Sequence, residues 1–263
     1  MKVAANGLGV HYRLEGPPAG PVVTLSHSLA ANLDLWDDQV AALSSRYRVL
    51  RYDARGHGQT DVPAGSYTLD QMADDLRGLL QPLGVGATHF VGLSMGGCIG
   101  MTAAVKYPGL LRSLVLADTT SRYAPQTAAM WAARIKTAET AGMEPVIEPT
   151  MDIWFTPDFR LREKTRVDRV RQMLRTTDPR GYVGAIRAIA DVDLTERLGE
   201  IRCPTLVLVG EQDPGTTPAM ARVLAERIPG ARLTILPAAR HCSCVEAAAA
   251  FNDAVLGFLA EVA

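Results

Sequence analysis

The 263-residue chain has almost no net charge, −1 at neutral pH. Holding nucleic acid or an anionic membrane by charge needs a basic excess, so neither is expected as a partner. No apolar run approaches the roughly 20 residues that a spanning helix requires. The opening Met1-Lys2-Val3-Ala4-Ala5-Asn6-Gly7 turns polar too soon for a signal peptide. The expectation is a soluble, cytoplasmic protein. Cysteine is scarce, confined to Cys98, Cys203, Cys242 and Cys244. In a long chain without a secretory signal these do not read as a disulfide framework. Cys242-Ser243-Cys244 beside His241 has no second Cys/His pair at zinc spacing, so no metal is expected. Internal repeats, low-complexity tracts and interdomain linkers are lacking too. The length suits one α/β domain with an insertion, and 48% hydrophobic residues supply an ordinary globular core.

What is present is an alternation of strand-like and helix-like segments. Val10–Leu14 alternates apolar and polar as an edge strand does, and Val22–Ser26 is a short β-branched run. Trp36–Leu43 has helical spacing, and Tyr47–Tyr52 returns to strand. Leu69–Leu83 carries Leu69, Met72, Ala73, Leu76, Leu79, Leu80 and Leu83 on one helical face. Phe90-Val91 and Leu114–Ala117 are further buried strands. From Thr119 to Ile189 no strand is legible, and helical stretches are punctuated by Pro125, Pro145, Pro149, Pro157 and Pro179. Strand Thr205–Val209, helix Pro218–Arg227, strand Arg232–Leu236 and a C-terminal helix Val245–Ala260 complete the pattern. Such alternation predicts a mostly parallel, twisted sheet flanked by helices. A helical cap is inserted after the strand Leu114–Ala117. The core is then 1–118 and 191–263, and the cap is 119–190. Active sites in such sheets lie at the carboxyl ends of the strands.

Gly92-Leu93-Ser94-Met95-Gly96 reads G-x-S-x-G between the apolar run His89-Phe90-Val91 and the helix-forming run that starts at Gly97. A strand, a sharp turn and a helix in that order expose a serine hydroxyl at a helix N-terminus, where free N–H groups favour an oxyanion. Glycine on each side lets strand and helix approach. A serine hydroxyl needs a base and a group to orient that base. Asp213 follows the strand Thr205–Val209, and His241 follows the strand Arg232–Leu236. Ser94, Asp213 and His241 are therefore the expected nucleophile, acid and base. Asp118 also ends a strand and is the alternative acid, whereas Glu211 reads as a loop or capping group. His11 and His89 read as structural, and His27 and His57 as loop-bracing residues. The expected oxyanion-hole donors are the amides of Met95 and Leu29. Ser28 is the alternative donor and a candidate substrate contact.

These stretches resemble the α/β-hydrolase superfamily and, within it, the 3-oxoadipate enol-lactonases. The resemblance spans the chain and rests on several stretches. They are Leu25-Ser26-His27-Ser28-Leu29 with Leu35-Trp36, Arg51-Tyr52-Asp53-Ala54-Arg55-Gly56-His57-Gly58, Gly92–Gly97 and Ile228-Pro229-Gly230-Ala231-Arg232. Trp131 with Arg134, Gly142-Met143, and Trp154-Phe155-Thr156 are similar in the cap. The chain departs from that pattern at His27, at Pro214-Gly215 and at Cys244, where Asn, a small apolar pair and Asn are usual. The resemblance implies an α/β-hydrolase fold and ring opening of a small carboxylated lactone through an acyl-enzyme, with no cofactor. A carboxylated substrate needs a cation, and the guanidinium fork of Arg134 suits it, the other reading being a solvated helix-face charge. Trp131 and Trp154 either wall the pocket or pack the core of the cap.

The alternatives carried with this reading are a carboxylesterase or perhydrolase of broad small-ester specificity and a carbon–carbon bond hydrolase of aromatic catabolism. A non-catalytic receptor on the same fold is the remaining one. The expected partner is a small-molecule ester or lactone, and no signal for an oligomeric state is present.

Overall fold

The branched, leucine-rich runs pair into an eight-stranded sheet in the computed structural model, which describes residues 1–262. The strands are β1 (Lys2–Ala5), β2 (Leu8–Glu15), β3 (Val22–Ser26), β4 (Arg48–Tyr52), β5 (Thr88–Leu93), β6 (Leu111–Ala117), β7 (Thr205–Gly210) and β8 (Arg232–Leu236). Their spatial order is β1-β2-β4-β3-β5-β6-β7-β8. β2 runs antiparallel to both its neighbours, β1 and β4, and the remaining pairs are parallel. β5 and β7 are buried along their whole length. That is why they read as continuous apolar runs rather than as alternation. Each Val or Leu side chain so buried is worth roughly 1.5–3 kcal/mol.

β1 is absent from the sequence reading. Its signal was local: Asn6-Gly7 has φ +47 and +76, which joins β1 to β2 through a two-residue hairpin turn.

Helices cover the sheet. α1 (Asp37–Leu43) follows a 3-10 turn, Leu33–Trp36, so the regular helix starts one residue later than the apolar spacing implies. α2 (Leu69–Leu80) starts at a capping box formed by Thr68 and Gln71. Beyond it Val85 N–H reaches the Leu80 carbonyl and Gly84 N–H the Gln81 carbonyl, with Gly84 at φ +69. This Schellman turn explains why the apolar face extends to Leu83 while the regular helix ends at Leu80. α3 (Met95–Lys106) follows β5 directly.

Between β6 and β7 lie α4 (Ala128–Ala141), α5 (Glu144–Trp154), α6 (Pro157–Arg162), α7 (Lys164–Thr176) and α8 (Pro179–Ala190). Pro157 and Pro179 open α6 and α8, where a missing N–H costs nothing, while Pro149 sits inside α5 without ending it. α9 (Pro218–Arg227) matches the expected span. The single C-terminal helix expected over Val245–Ala260 is instead α10 (Ser243–Glu246) and α11 (Ala248–Val262). The Glu246 carboxylate accepts hydrogen bonds from Thr156 and from the Arg240 amide. Ala247, at φ −116 and ψ 40, separates the two helices, and helical periodicity encodes neither that break nor the contact of Glu246 with Thr156. Among the described residues no helix is long and apolar enough to cross a membrane.

Candidate active site

The turn after β5 is held tight from both sides. Ser94 has φ +54, and its amide donates to the Ala117 carbonyl at 2.8 Å. A Cβ on Gly92 would lie 2.3 Å from the Gly96 carbonyl oxygen, and one on Gly96 2.0 Å from that of Ser26. The small residues of the motif are therefore dictated by backbone contact. Ser94 ends up only 7% exposed, at the N-terminus of α3.

His241 and Asp213 arrive from the loops after β8 and β7. His241 Nε2 is 2.9 Å from Ser94 Oγ, and His241 Nδ1 is 2.8 Å from Asp213 Oδ2. A carboxylate accepts only, so Nδ1 carries the proton and Nε2 is left to accept from the serine. Asp213 Oδ1 accepts from the amides of Gly215 and Thr216 at 2.8 and 3.0 Å, and Thr216 Oγ1 donates to Oδ2 at 2.7 Å. Burial pushes the Asp213 carboxyl up, but the charge and hydrogen bond of His241 and the bonds from Thr216 outweigh it and hold it below its ordinary value. Burial pulls His241 down, yet the Asp213 charge and hydrogen bond, with help from Asp118, leave it above its ordinary value. Thr216, which also approaches His241 Nδ1 at 3.1 Å, is absent from the sequence reading. It lies three residues after the acid, and no motif marks it.

The other acids and histidines fall elsewhere. Asp118 does not bond His241; it accepts from the Gly210 amide and from Ser243. Glu211 accepts from the Ala238 amide, as a loop group does. His11 pairs with Asp53 at 2.7 Å and His89 with Ser113 at 2.8 Å, both in buried structural contacts.

His27, on the loop that carries Leu29, and His57, on the loop after β4, each brace the other's loop. His27 Nδ1 donates to the Ser28 carbonyl at 2.7 Å, and its Nε2 accepts from the Ala54 amide at 3.0 Å. His57 Nδ1 donates to the Arg55 carbonyl at 3.0 Å, and its Nε2 accepts from the Ala30 amide at 3.1 Å. Each ring uses one nitrogen to donate and the other to accept, so each must be neutral. Burial keeps them so: it holds His27 below its ordinary value and brings His57 down to about 3. The loop these rings brace turns through Ala30 at φ +64. The amides of Leu29 and Met95 have no acceptor within the protein among the described residues.

A cavity of about 150 Å³ opens on Ser94 and His241. Ser28, Leu29, Trp131, Arg134 and Trp154 all border it. So do Tyr123, Thr150 and Tyr182, which sequence patterns did not single out. Arg134 Nε donates to Tyr182 Oη at 3.1 Å and Nη2 to Thr150 Oγ1 at 2.8 Å, and its guanidinium lies 5.7 Å from the Trp131 ring centre. All these partners are neutral, and no carboxylate pairs with Arg134 among the described residues. Among those residues, no group of three or more His, Cys, Asp or Glu side chains is arranged to hold a metal ion.

A family model described as alpha/beta hydrolase fold matches residues 21–248. The chain is 34% identical to 3-oxoadipate enol-lactonase 2 of Acinetobacter baylyi, over 96% of this chain and 94% of that protein. It is 31% identical to a putative carbamate hydrolase, RutD, of Stutzerimonas stutzeri, over 96% of this chain and 97% of that one. The crystal structure of an enol-lactonase from Burkholderia xenovorans superimposes with a TM-score of 0.95 at 38% identity, covering 99% of this chain and all of that one.

Proposed function

The chain belongs to the alpha/beta hydrolase fold family, and from that premise we propose that it is a serine hydrolase opening a small carboxylated lactone of the 3-oxoadipate enol-lactone type. The observation that carries the reading is the pair of arrangements facing one cavity: Ser94, His241 and Asp213 in a hydrogen-bonded chain, and Arg134 with only neutral partners. A half-buried guanidinium without a carboxylate partner favours an anionic ligand, because the ligand supplies the missing countercharge. In this reading 119–190 is a cap over the core formed by 1–118 and 191–263. The protein works in the cytoplasm on a small molecule, without metal or organic cofactor.

Ser94 Oγ attacks the lactone carbonyl as His241 Nε2 takes its proton. Asp213 holds the imidazole in the tautomer with its proton on Nδ1, so that Nε2 can accept, and stabilises the imidazolium. The Met95 and Leu29 amides receive the developing oxyanion, with Ser28 beside them. Collapse breaks the ring C–O bond, the His241 imidazolium gives its proton to the departing enolate oxygen, and the resulting enol tautomerises to the ketone. Water activated by His241 then frees the acid from Ser94. Arg134 holds the substrate carboxylate, and Trp131 and Trp154 flank the ring.

A broad small-ester activity is the second reading. It is favoured by Leu29, Met130, Ile153 and Ile189, which make much of the lining apolar. Measuring kcat/KM on 3-oxoadipate enol-lactone beside a short-chain p-nitrophenyl ester separates the two, with Ser94→Ala as control. A lactone preference of about a hundredfold, roughly 2.7 kcal/mol of transition-state binding, supports the first. Ester turnover without lactone turnover overturns it in favour of the second.

A further inference from the structure

Asp118 is a buried carboxylate that the reaction above leaves unused. It directly follows β6 in a left-handed backbone conformation, φ +45, and is fully buried. Its oxygens reach two different loops. Oδ1 accepts from the Gly210 amide at 2.8 Å. Oδ2 accepts from Ser243 Oγ at 2.5 Å and from the Ser243 amide at 3.3 Å. Gly210 ends β7, and the turn that follows it carries Asp213. Ser243 opens α10, two residues beyond His241. The two loops are also in backbone contact, since a Cβ on Gly210 would lie 2.4 Å from the Arg240 carbonyl oxygen.

We propose that Asp118 is a positioning residue for the reaction, whose carboxylate pins the acid-bearing turn to the base-bearing loop and whose charge strengthens His241 as a base. This rests on the serine-hydrolase reading. Asp213 and His241 come from separate loops, and the bond between them is only as well aligned as those loops are fixed. Misplacement of a catalytic group by about 1 Å can cost a hundredfold in rate. The groups facing Asp118 are Asp213 after β7, and His241 and Cys242 in the loop after β8. Burial and the Asp213 charge push the Asp118 carboxyl up to about 7, against His241, Ser243 and the Gly210 amide. Above neutral pH its negative charge adds to that of Asp213 in holding a proton on His241, against Arg134. Below it, a protonated Asp118 donates to Ser243 Oγ and withdraws that support.

Three variants separate the brace from the charge. Asp118→Asn tolerates the left-handed φ and keeps a bond to each loop, the amide oxygen accepting from Gly210 and the amide nitrogen donating to Ser243 Oγ, but it is uncharged and no longer accepts from the Ser243 amide. Asp118→Gly removes the carboxylate without straining the backbone. Ser243→Ala cuts one arm of the brace. The readouts are kcat and KM on a short-chain p-nitrophenyl ester and an NMR titration of the His241 imidazole, which needs no substrate.

The expected result is a kcat loss of about tenfold to a hundredfold in Asp118→Gly with KM little changed, since Asp118 does not border the cavity. Asp118→Asn should restore most of that kcat but move the His241 titration down by about half a pH unit. Ser243→Ala should fall between. Unchanged kcat in both Asp118→Gly and Ser243→Ala overturns the brace, and an unmoved His241 titration in Asp118→Asn overturns the charge. If Asp118→Gly does not fold, Ser243→Ala and Asp118→Asn still decide both parts. Failure of wild-type turnover on every ester and lactone would overturn the hydrolase reading instead, while the titration still reads the charge of Asp118.

Discussion

His57 Nε2 accepts the amide of Ala30 at 3.1 Å, and the contact has a mirror: His27, on the loop that Ala30 belongs to, accepts the amide of Ala54 on the loop of His57. The two rings lie 5.2 Å apart at their centres. Each loop thus lends the other a neutral imidazole, and the segment carrying Leu29 is fixed by two reciprocal bonds. Protonating either ring removes an acceptor and places a charge at a buried position.

That arrangement predicts acid sensitivity of the fold. Unfolded, both histidines titrate at their ordinary 6.5; folded, burial holds His57 to about 3 and His27 below 6.5. The folded state binds fewer protons, so the stabilisation is complete above about pH 6.5 and drains away as pH falls towards 3. Thermal melts between pH 7 and 4 should show a falling Tm, with a shallower fall in His57→Gln. Parallel slopes would discount His57.

Activity should respond to pH earlier, and for a different reason. His241 must be neutral to accept the Ser94 proton, and the Asp213 charge and hydrogen bond, aided by Asp118, hold its pKa above the ordinary 6.5 despite burial. The acid limb of kcat/KM is therefore expected above pH 6.5, reversible and ahead of any loss of structure. A limb at or below 6 would contradict the Asp213–His241 pairing.

Ser94→Ala and His241→Ala should each lower kcat by about 10⁴-fold or more while leaving the far-UV spectrum and Tm near wild type. Residual turnover near wild type in either would remove the proposed mechanism.

Arg134→Gln should cut kcat/KM on a carboxylated lactone by about a hundredfold and on a neutral p-nitrophenyl ester by less than about threefold. Equal losses on both substrates would assign Arg134 to packing against Trp131, Thr150 and Tyr182 instead.

Gly181 opens the question of how α8 docks. A Cβ there would lie 1.9 Å from the Gly56 carbonyl oxygen, so Gly181→Ala should cost about 1–3 kcal/mol. Gly257, inside α11, has nothing within 4 Å of an added Cβ, and Gly257→Ala should stabilise by about 0.5–1 kcal/mol. Denaturant midpoints of the two variants moving in the same direction would refute this contrast.

The amino-acid sequence by itself determined what depends on near neighbours. β-branched runs become buried strands, the Leu69–Leu83 stripe becomes a helical face, and Gly92 and Gly96 permit the turn that lifts Ser94. Asp213 and His241 were legible for the same reason, because each directly follows a recognisable strand. The hairpin of β1 with β2 was equally local, written in Asn6-Gly7, though the sequence reading missed it. The tertiary structure alone decided which groups meet once strands distant in the chain lie side by side. It brings Thr216 onto the Asp213–His241 pair and gives Arg134 on α4 neutral partners on α5 and α8. It sets His57 under Ala30, brings Glu246 of α10 onto Thr156, and gives Asp118 bonds to two loops and none to His241. Periodicity reports which face of a segment is buried. What that face touches is set by sheet order and by backbone clearances of a few ångströms, neither of which is written in any single stretch of residues.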